Sequence, residues 1–187
     1  MSISFREVCF EDIITVLEWR TNERISKNLI VDIEYNIEKQ IKWFNDCKKN
    51  INFEHWLILF NNEPIGYLSL NNLYNLKKPF SFGFFIGNEN YLNFGSIILF
   101  YLYNIIFFQT KIKKINIEVM KFNTKAIETH LQAGYRFQKH NNRIIEKKGK
   151  PHVLIAMSLK KDDWLKQIKF HKFKTPLPQS SKKNLYL

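Results

Sequence analysis

The stretch INIEVMKFNTKAIETHLQAGYRF, Ile115 to Phe137, decides how the chain is read. It opens as a strand, because Ile115, Ile117 and Val119 alternate with Asn116, Glu118 and Met120 and so put apolar and polar groups on opposite faces. A helix follows at once. Asn123 or Thr124 serves as its cap, Ala126, Ile127, His130 and Leu131 recur at helical spacing, and Gly134 marks its stop. Tyr135 and Phe137 then begin another strand.

Upstream, the apolar run IILFYLYNIIFF from Ile97 to Phe108 is too short to span a bilayer and follows Gly95 and Ser96, which reads as a buried helix. Before it, FSFGFFIG is an apolar strand interrupted by Gly83 and ended by Gly87; a glycine there admits a bulge or a ligand close to the backbone. FEHWLILF and IGYLSLNNL, joined by NNEP, form a hairpin. At the start, Ile3 to Val8 alternates as a strand, and EDIITVLEWRTNERI repeats Ile13, Val16, Leu17 and Arg20 as a helix. A second helix near Asn36 to Lys49 carries Ile37, Ile41, Trp43 and Phe44, its aromatics read as core.

Downstream, YRFQKHNNRII and HVLIAMSL straddle the turn EKKGKP as the last two strands. Beyond Lys160 the periodicity fades after a short amphipathic piece, and Pro, Ser and Lys accumulate. One domain over residues 1–160 and a basic extension over 161–187 are expected.

Composition narrows the classes further. With 45% hydrophobic and 16% aromatic residues over 187 positions, the chain can bury a sizeable core and is not a disordered segment. A formal charge of +12 favours anionic partners. Spread over loops, it reads as a solvated surface rather than a nucleic-acid groove, and phosphate-bearing small molecules gain from the same field. Cys9 and Cys47 make neither a disulfide framework nor a ligand spacing, and no cationic-then-apolar leader precedes the first strand, so a cytoplasmic protein is expected. The five His show no metal-ligand spacing, and no nucleophilic triad is supported.

The unit Asn123, Ala126, His130, Gly134 and Tyr135 resembles the last conserved motif of the GCN5-related N-acetyltransferases, roughly N-x-x-A-x-x-x-Y-x-x-x-G-F, with His130 in the place of the usual Tyr. The resemblance implies an α/β (α+β) fold. Its central mixed, mostly antiparallel sheet has about seven strands, splayed between the fourth and fifth, and about four helices flank it. It implies acetyl-CoA or another acyl-CoA as co-substrate and no metal. The family's Q/R-x-x-G-x-G/A loop falls on NENYLNFGS, where Gly95 takes the second glycine position and Asn93, a residue tolerant of left-handed backbone, the first. The cofactor residues implied are Phe85, Ile86, Gly87, Leu92, Asn93, Phe94, Gly95, Ser96, Asn123 and Ala126.

By the same resemblance, backbone N–H groups around Phe85 to Gly87 receive the oxyanion, and His130 protonates the leaving thiolate. Glu118, on the polar side of its strand, is the expected base, with burial raising its pKa; Ser81, Asn90 and His55 are alternatives. Over residues 5 to 140 the chain is similar to the nucleotide-sugar N-acetyltransferases of the pseudaminic acid pathway. The matching pieces are Trp19-Arg20-Thr21-Asn22, the aromatic Trp43, FGFFIGNEN and EVMKFNTKAI. That similarity implies a UDP- or dTDP-linked amino sugar as substrate, with Arg20 and Trp43 helping to hold it; Trp19, Ser81 and Asn90 are further candidate substrate residues, no nucleic-acid or membrane partner is expected, and a homodimer is compatible with it. A ribosomal or other protein N-acetyltransferase is the alternative within the fold. A non-catalytic basic module binding nucleic acid is the alternative outside it.

Overall fold

The computed structural model describes residues 3–167 and Pro178; the rest of the expected 161–187 extension lies outside the described residues. The described chain runs β1 (Ile3–Glu7), a 3-10 turn, α1 (Ile13–Thr21), α2 (Glu23–Ser26), α3 (Ile37–Lys49), β2 (Phe53–Phe60), β3 (Glu63–Asn71) and β4 (Phe80–Ile86). It continues through a six-residue 3-10 segment, Glu89–Phe94, into α4 (Gly95–Gln109), β5 (Lys114–Met120), α5 (Thr124–Gln132) and β6 (Arg136–Phe137). β7 (Arg143–Lys147), β8 (Lys150–Lys160) and α6 (Lys161–Gln167) complete it. The expected mixed fold holds. The surplus over the expected count of about seven strands and four helices is β6, of two residues, and the short α2 and α6.

One sheet takes all eight strands in the order β1-β2-β3-β4-β5-β8-β6, with β7 also on β8. Its pairs are antiparallel except β4 with β5, which run parallel. The period-2 pattern sends Trp56 and Ile58 of β2 to one face and Leu57 and Leu59 to the other. The first face, with Phe82, Ile115 and Ile117, packs on Leu102, Tyr103 and Ile106 of α4. The second packs on Ile13 and Val16 of α1 and Phe44 of α3.

Local chemistry explains the boundaries. Asn61 and Asn62, at φ 48° and 68°, close the β2–β3 hairpin in the left-handed region Asn tolerates. Asn123 caps α5 by accepting from the Ala126 N–H at 3.2 Å, and Gly134 at φ +94° ends it. The stretch Glu89–Gln109 is apolar and long enough to cross a membrane by length and composition, yet Ile98, Leu99, Leu102 and Ile105 of α4 are buried against the sheet. Trp164 of α6 is buried on the same helix and donates to Asn104 Oδ1 at 3.1 Å.

Candidate active site

The site begins where the sheet opens. β4 and β5 pair only at Phe80 with Ile115 and at Ser81 with Asn116, then diverge. Hydrogen-bond alternation shows what the divergence frees. The Gly87 N–H donates to Ile65 C=O at 2.9 Å, so with the β3–β4 register the residues bonded to β3 are Ser81, Gly83, Phe85 and Gly87. The backbone groups of Phe82, Phe84 and Ile86 therefore point at the gap. On the facing edge, Lys161 N–H to Lys113 C=O and Lys121 N–H to Val153 C=O, both 2.9 Å, commit the odd-numbered residues of β5 to β8. Glu118 and Met120 turn their backbone groups to the gap.

This corrects the expected oxyanion donors. The N–H groups of Phe85 and Gly87 are taken by β3, and the unpaired donors of this edge belong to Phe84 and Ile86. Arg24, which the sequence did not single out, donates to the carbonyls of Ile86 at 3.1 Å and Gly87 at 2.9 Å and pairs with Glu89 at 3.4 Å. It caps acceptors at the strand end and leaves the Ile86 N–H free.

A cavity of about 1540 Å³ occupies the opening and reaches both faces of the sheet. On the α1–α3 face it is lined by Arg20, Trp43, Tyr67, Ser81, Phe85 and Glu118; on the α4–α5 face by Leu92, Gly95, Leu99, Asn123, Ala126 and His130. An extended amide chain fits such a slot, because the free edge of β4 offers it strand-like donors and acceptors. Among the described residues no group of His, Cys, Asp and Glu is placed to hold a metal.

His130 is buried, and its Nδ1 lies 3.0 Å from the Tyr103 hydroxyl. The rings of Phe82 and Tyr135 stand edge-on to it, at 6.2 and 5.0 Å. Burial pushes its pKa down to about 4, so the imidazole is neutral at physiological pH, not the protonated acid the sequence reading invoked. Burial also holds the Tyr103 phenol well above its ordinary value, so that hydroxyl keeps its proton.

Glu118 departs from expectation as well. It is exposed and accepts two hydrogen bonds from Arg143, each 2.7 Å, so the buried carboxylate expected of the base is not what stands here. The cause is long-range, since Arg143 comes from β7, two strands away. His55 is buried among Trp43, Phe44, Phe53 and Tyr67 and does not line the cavity.

Of the expected substrate residues, Arg20 and Trp43 meet: the guanidinium sits 4.3 Å from the Trp43 ring centre. Arg20 donates to Gln40 Oε1 at 3.3 Å, and burial draws its pKa below the ordinary guanidinium value. No carboxylate among the described residues pairs with it by an ion-pair contact. Ser81 joins them on the wall. Trp19 does not; it packs edge-on to Phe85, and a Cβ on Gly87 would lie 2.1 Å from its ring. Asn90 is exposed on the 3-10 segment, off the lining, where its N–H is bound by Asn88.

The residues of the expected glycine loop are divided between the cavity wall and the surface. Leu92 and Gly95 line the cavity, whereas Asn93 and Ser96 are exposed and Phe94 packs on Phe60 and Tyr91. Asn93 is not left-handed, because Glu89–Phe94 winds as a 3-10 segment and needs no positive φ. Gly95 opens α4 with empty space where a Cβ would stand. That leaves the helix start open to an anion.

Residues 3–136 match the family model "Acetyltransferase (GNAT) domain". Among solved structures, the chain is similar to a spermidine N-acetyltransferase from Vibrio cholerae in complex with CoA and spermine. Identity is 14%, coverage 87% of this chain and 98% of that one, and the TM-score 0.78. It is also similar to an aminoglycoside acetyltransferase in complex with coenzyme A, at 16% identity, 88% and 98% coverage and TM-score 0.69. An uncharacterised Bacillus halodurans protein aligns at 17% identity, 88% and 87% coverage and TM-score 0.73. No curated protein matches the sequence. A family match over most of the described chain, on a sheet that opens beside free backbone donors, shows that this protein belongs to the GNAT acetyltransferases, which take their acyl group from acyl-CoA.

Proposed function

We propose that the protein transfers an acetyl or other short acyl group from acyl-CoA to the amino group of an amino-deoxy sugar linked to UDP or dTDP, by direct attack in a ternary complex. The charge of the cavity wall carries this reading. Among the described residues, Arg20, Arg24, Lys27, Lys77, Lys78, Lys111, Lys113, Lys114 and Lys125 line it against a single carboxylate, Glu118, itself paired with Arg143. A polycation such as spermine, or an aminoglycoside, would be repelled there; a diphosphate would be attracted. Arg20, over the Trp43 ring, offers a forked cation beside an aromatic plane, the pairing that suits a nucleotide base or phosphate. With Cys9 and Cys47 in no disulfide, a cytoplasmic setting is consistent.

In the reaction the acceptor nitrogen bonds to the thioester carbonyl carbon and the carbon–sulfur bond breaks. The N–H groups of Ile86 and Phe84 donate to the oxygen as it gains charge. Glu118 attracts the acceptor's ammonium, which yields one proton to water to become the attacking amine and a second to water as the carbon–nitrogen bond forms; the CoA thiolate takes a proton back from water. With Tyr103, 3.0 Å away, as the donor to Nδ1, the His130 proton stands on Nε2, and that N–H stabilises the departing sulfur without the ring ever becoming imidazolium.

Acetyl-CoA supplied with a UDP-linked 4-amino sugar, with spermidine and with a peptide tests the reading. Turnover of the sugar alone is expected; turnover of spermidine alone would refute it. Arg20→Ala should raise KM for the sugar nucleotide roughly tenfold, the cost of one charge-assisted contact, and leave KM for acetyl-CoA unchanged. An equal rise in both would remove the nucleotide from this wall.

A further inference from the structure

The wall of the cavity opposite β4 is built by a segment without regular structure, between α2 and α3. Its Leu29, Ile30, Val31 and Ile33 line the cavity, although Val31 is 64% exposed and Ile30 38% exposed. Such a segment has little apolar burial of its own to hold it. What holds it comes from the far end of the chain. Lys147, the last residue of β7, is only 5% exposed, and its ammonium donates to Ser26 C=O at 2.7 Å and to Leu29 C=O at 2.5 Å. It also pairs with Asp32 at 3.3 Å, and the Lys148 N–H donates to the other oxygen of that carboxylate at 3.1 Å. One buried ammonium thus joins both ends of the segment, and Lys148, at φ 49°, starts the hairpin turn that delivers it.

We infer that Lys147 is a positioning residue for the transfer reaction: it latches residues 27–33 as a fixed wall of the acceptor side of the cavity. The chemistry favours a lysine for this task. Three acceptors converge on one point, which a compact ammonium with three donors satisfies and a planar guanidinium does not. Lys147 does not itself line the cavity and reaches it only through the wall residue Leu29, so its effect on the reaction passes through the wall alone. The inference rests on the proposed use of this side of the cavity by the acceptor.

Lys147→Met and the milder Asp32→Asn, made in the full chain, test it with two readouts. The first is limited trypsin digestion at the Lys27–Asn28 bond, which does not depend on the acceptor's identity. At least fivefold faster cleavage in Lys147→Met, and a smaller acceleration in Asp32→Asn, is expected. Unchanged cleavage in both would overturn the latch. Should Lys147→Met fail to fold, Asp32→Asn decides by the same criterion. The second readout is steady-state kinetics with the UDP-linked 4-amino sugar and acetyl-CoA. KM for the sugar should rise about fivefold in a variant whose segment is loosened, with kcat and KM for acetyl-CoA within twofold. Faster cleavage with an unmoved sugar KM would overturn the positioning role. A wild-type protein that ignores the sugar would refute the substrate reading instead, and the digestion would still decide the latch.

Discussion

His130 shows how far one residue's environment can reverse what its type suggests. A free imidazole titrates near neutrality, but this one is buried against Tyr103, Phe82 and Tyr135, and its pKa falls to about 4. Between that value and the ordinary 6.5 the unfolded chain binds the proton and the folded chain does not. Its contribution to stability is therefore complete above the unfolded value and is lost as pH falls toward about 4. In urea unfolding, the wild type should lose about 2 kcal/mol more than His130→Phe between pH 7 and pH 5, from the linkage relation. Equal losses would mean the ring titrates normally. His130→Phe should also slow turnover about 100-fold, the scale of one lost hydrogen-bond donor to developing charge, with acetyl-CoA affinity nearly unchanged. Unchanged turnover would leave the ring a packing role.

At the scale of elements, the end of β4 is held from outside the sheet. Trp19 of α1 lies on Gly87 so closely that a Cβ would stand 2.1 Å from its ring, and Arg24 of α2 grips the carbonyls of Ile86 and Gly87. These contacts keep the strand end turned from β5, where the unpaired Ile86 N–H is needed. Gly87→Ala must displace the indole or the strand and should destabilise the fold by about 1–3 kcal/mol, with a shift in tryptophan emission. Emission and midpoint both at wild-type values would show that the contact is slack. Gly87 was legible in the sequence as a strand end, yet its partner Trp19 was assigned to substrate, because an aromatic beside an arginine reads alike whether it faces a ligand or a glycine.

Taken whole, the molecule is a cation of +12 wrapped around a slot for anions. A ligand that binds only the folded state stabilises it by mass action, so acetyl-CoA at 100 times its Kd should add about 2.7 kcal/mol and raise Tm by roughly 5–10 °C. The gain should shrink at high salt, where the field of exposed lysines is screened; no rise at any salt would mean the slot does not take the thioester. The sequence by itself determined the succession of strands and helices, the buried character of the 97–108 run, the Asn123 cap and the Gly134 stop, since periodicity and capping are written within a few consecutive residues. Only the tertiary structure decided which N–H groups of β4 stay free, that Arg143 occupies Glu118, that His130 is neutral and that Lys147 holds residues 27–33. Each of these depends on desolvation or on a partner brought from far along the chain, and no local pattern records the distance between segments that meet only after folding.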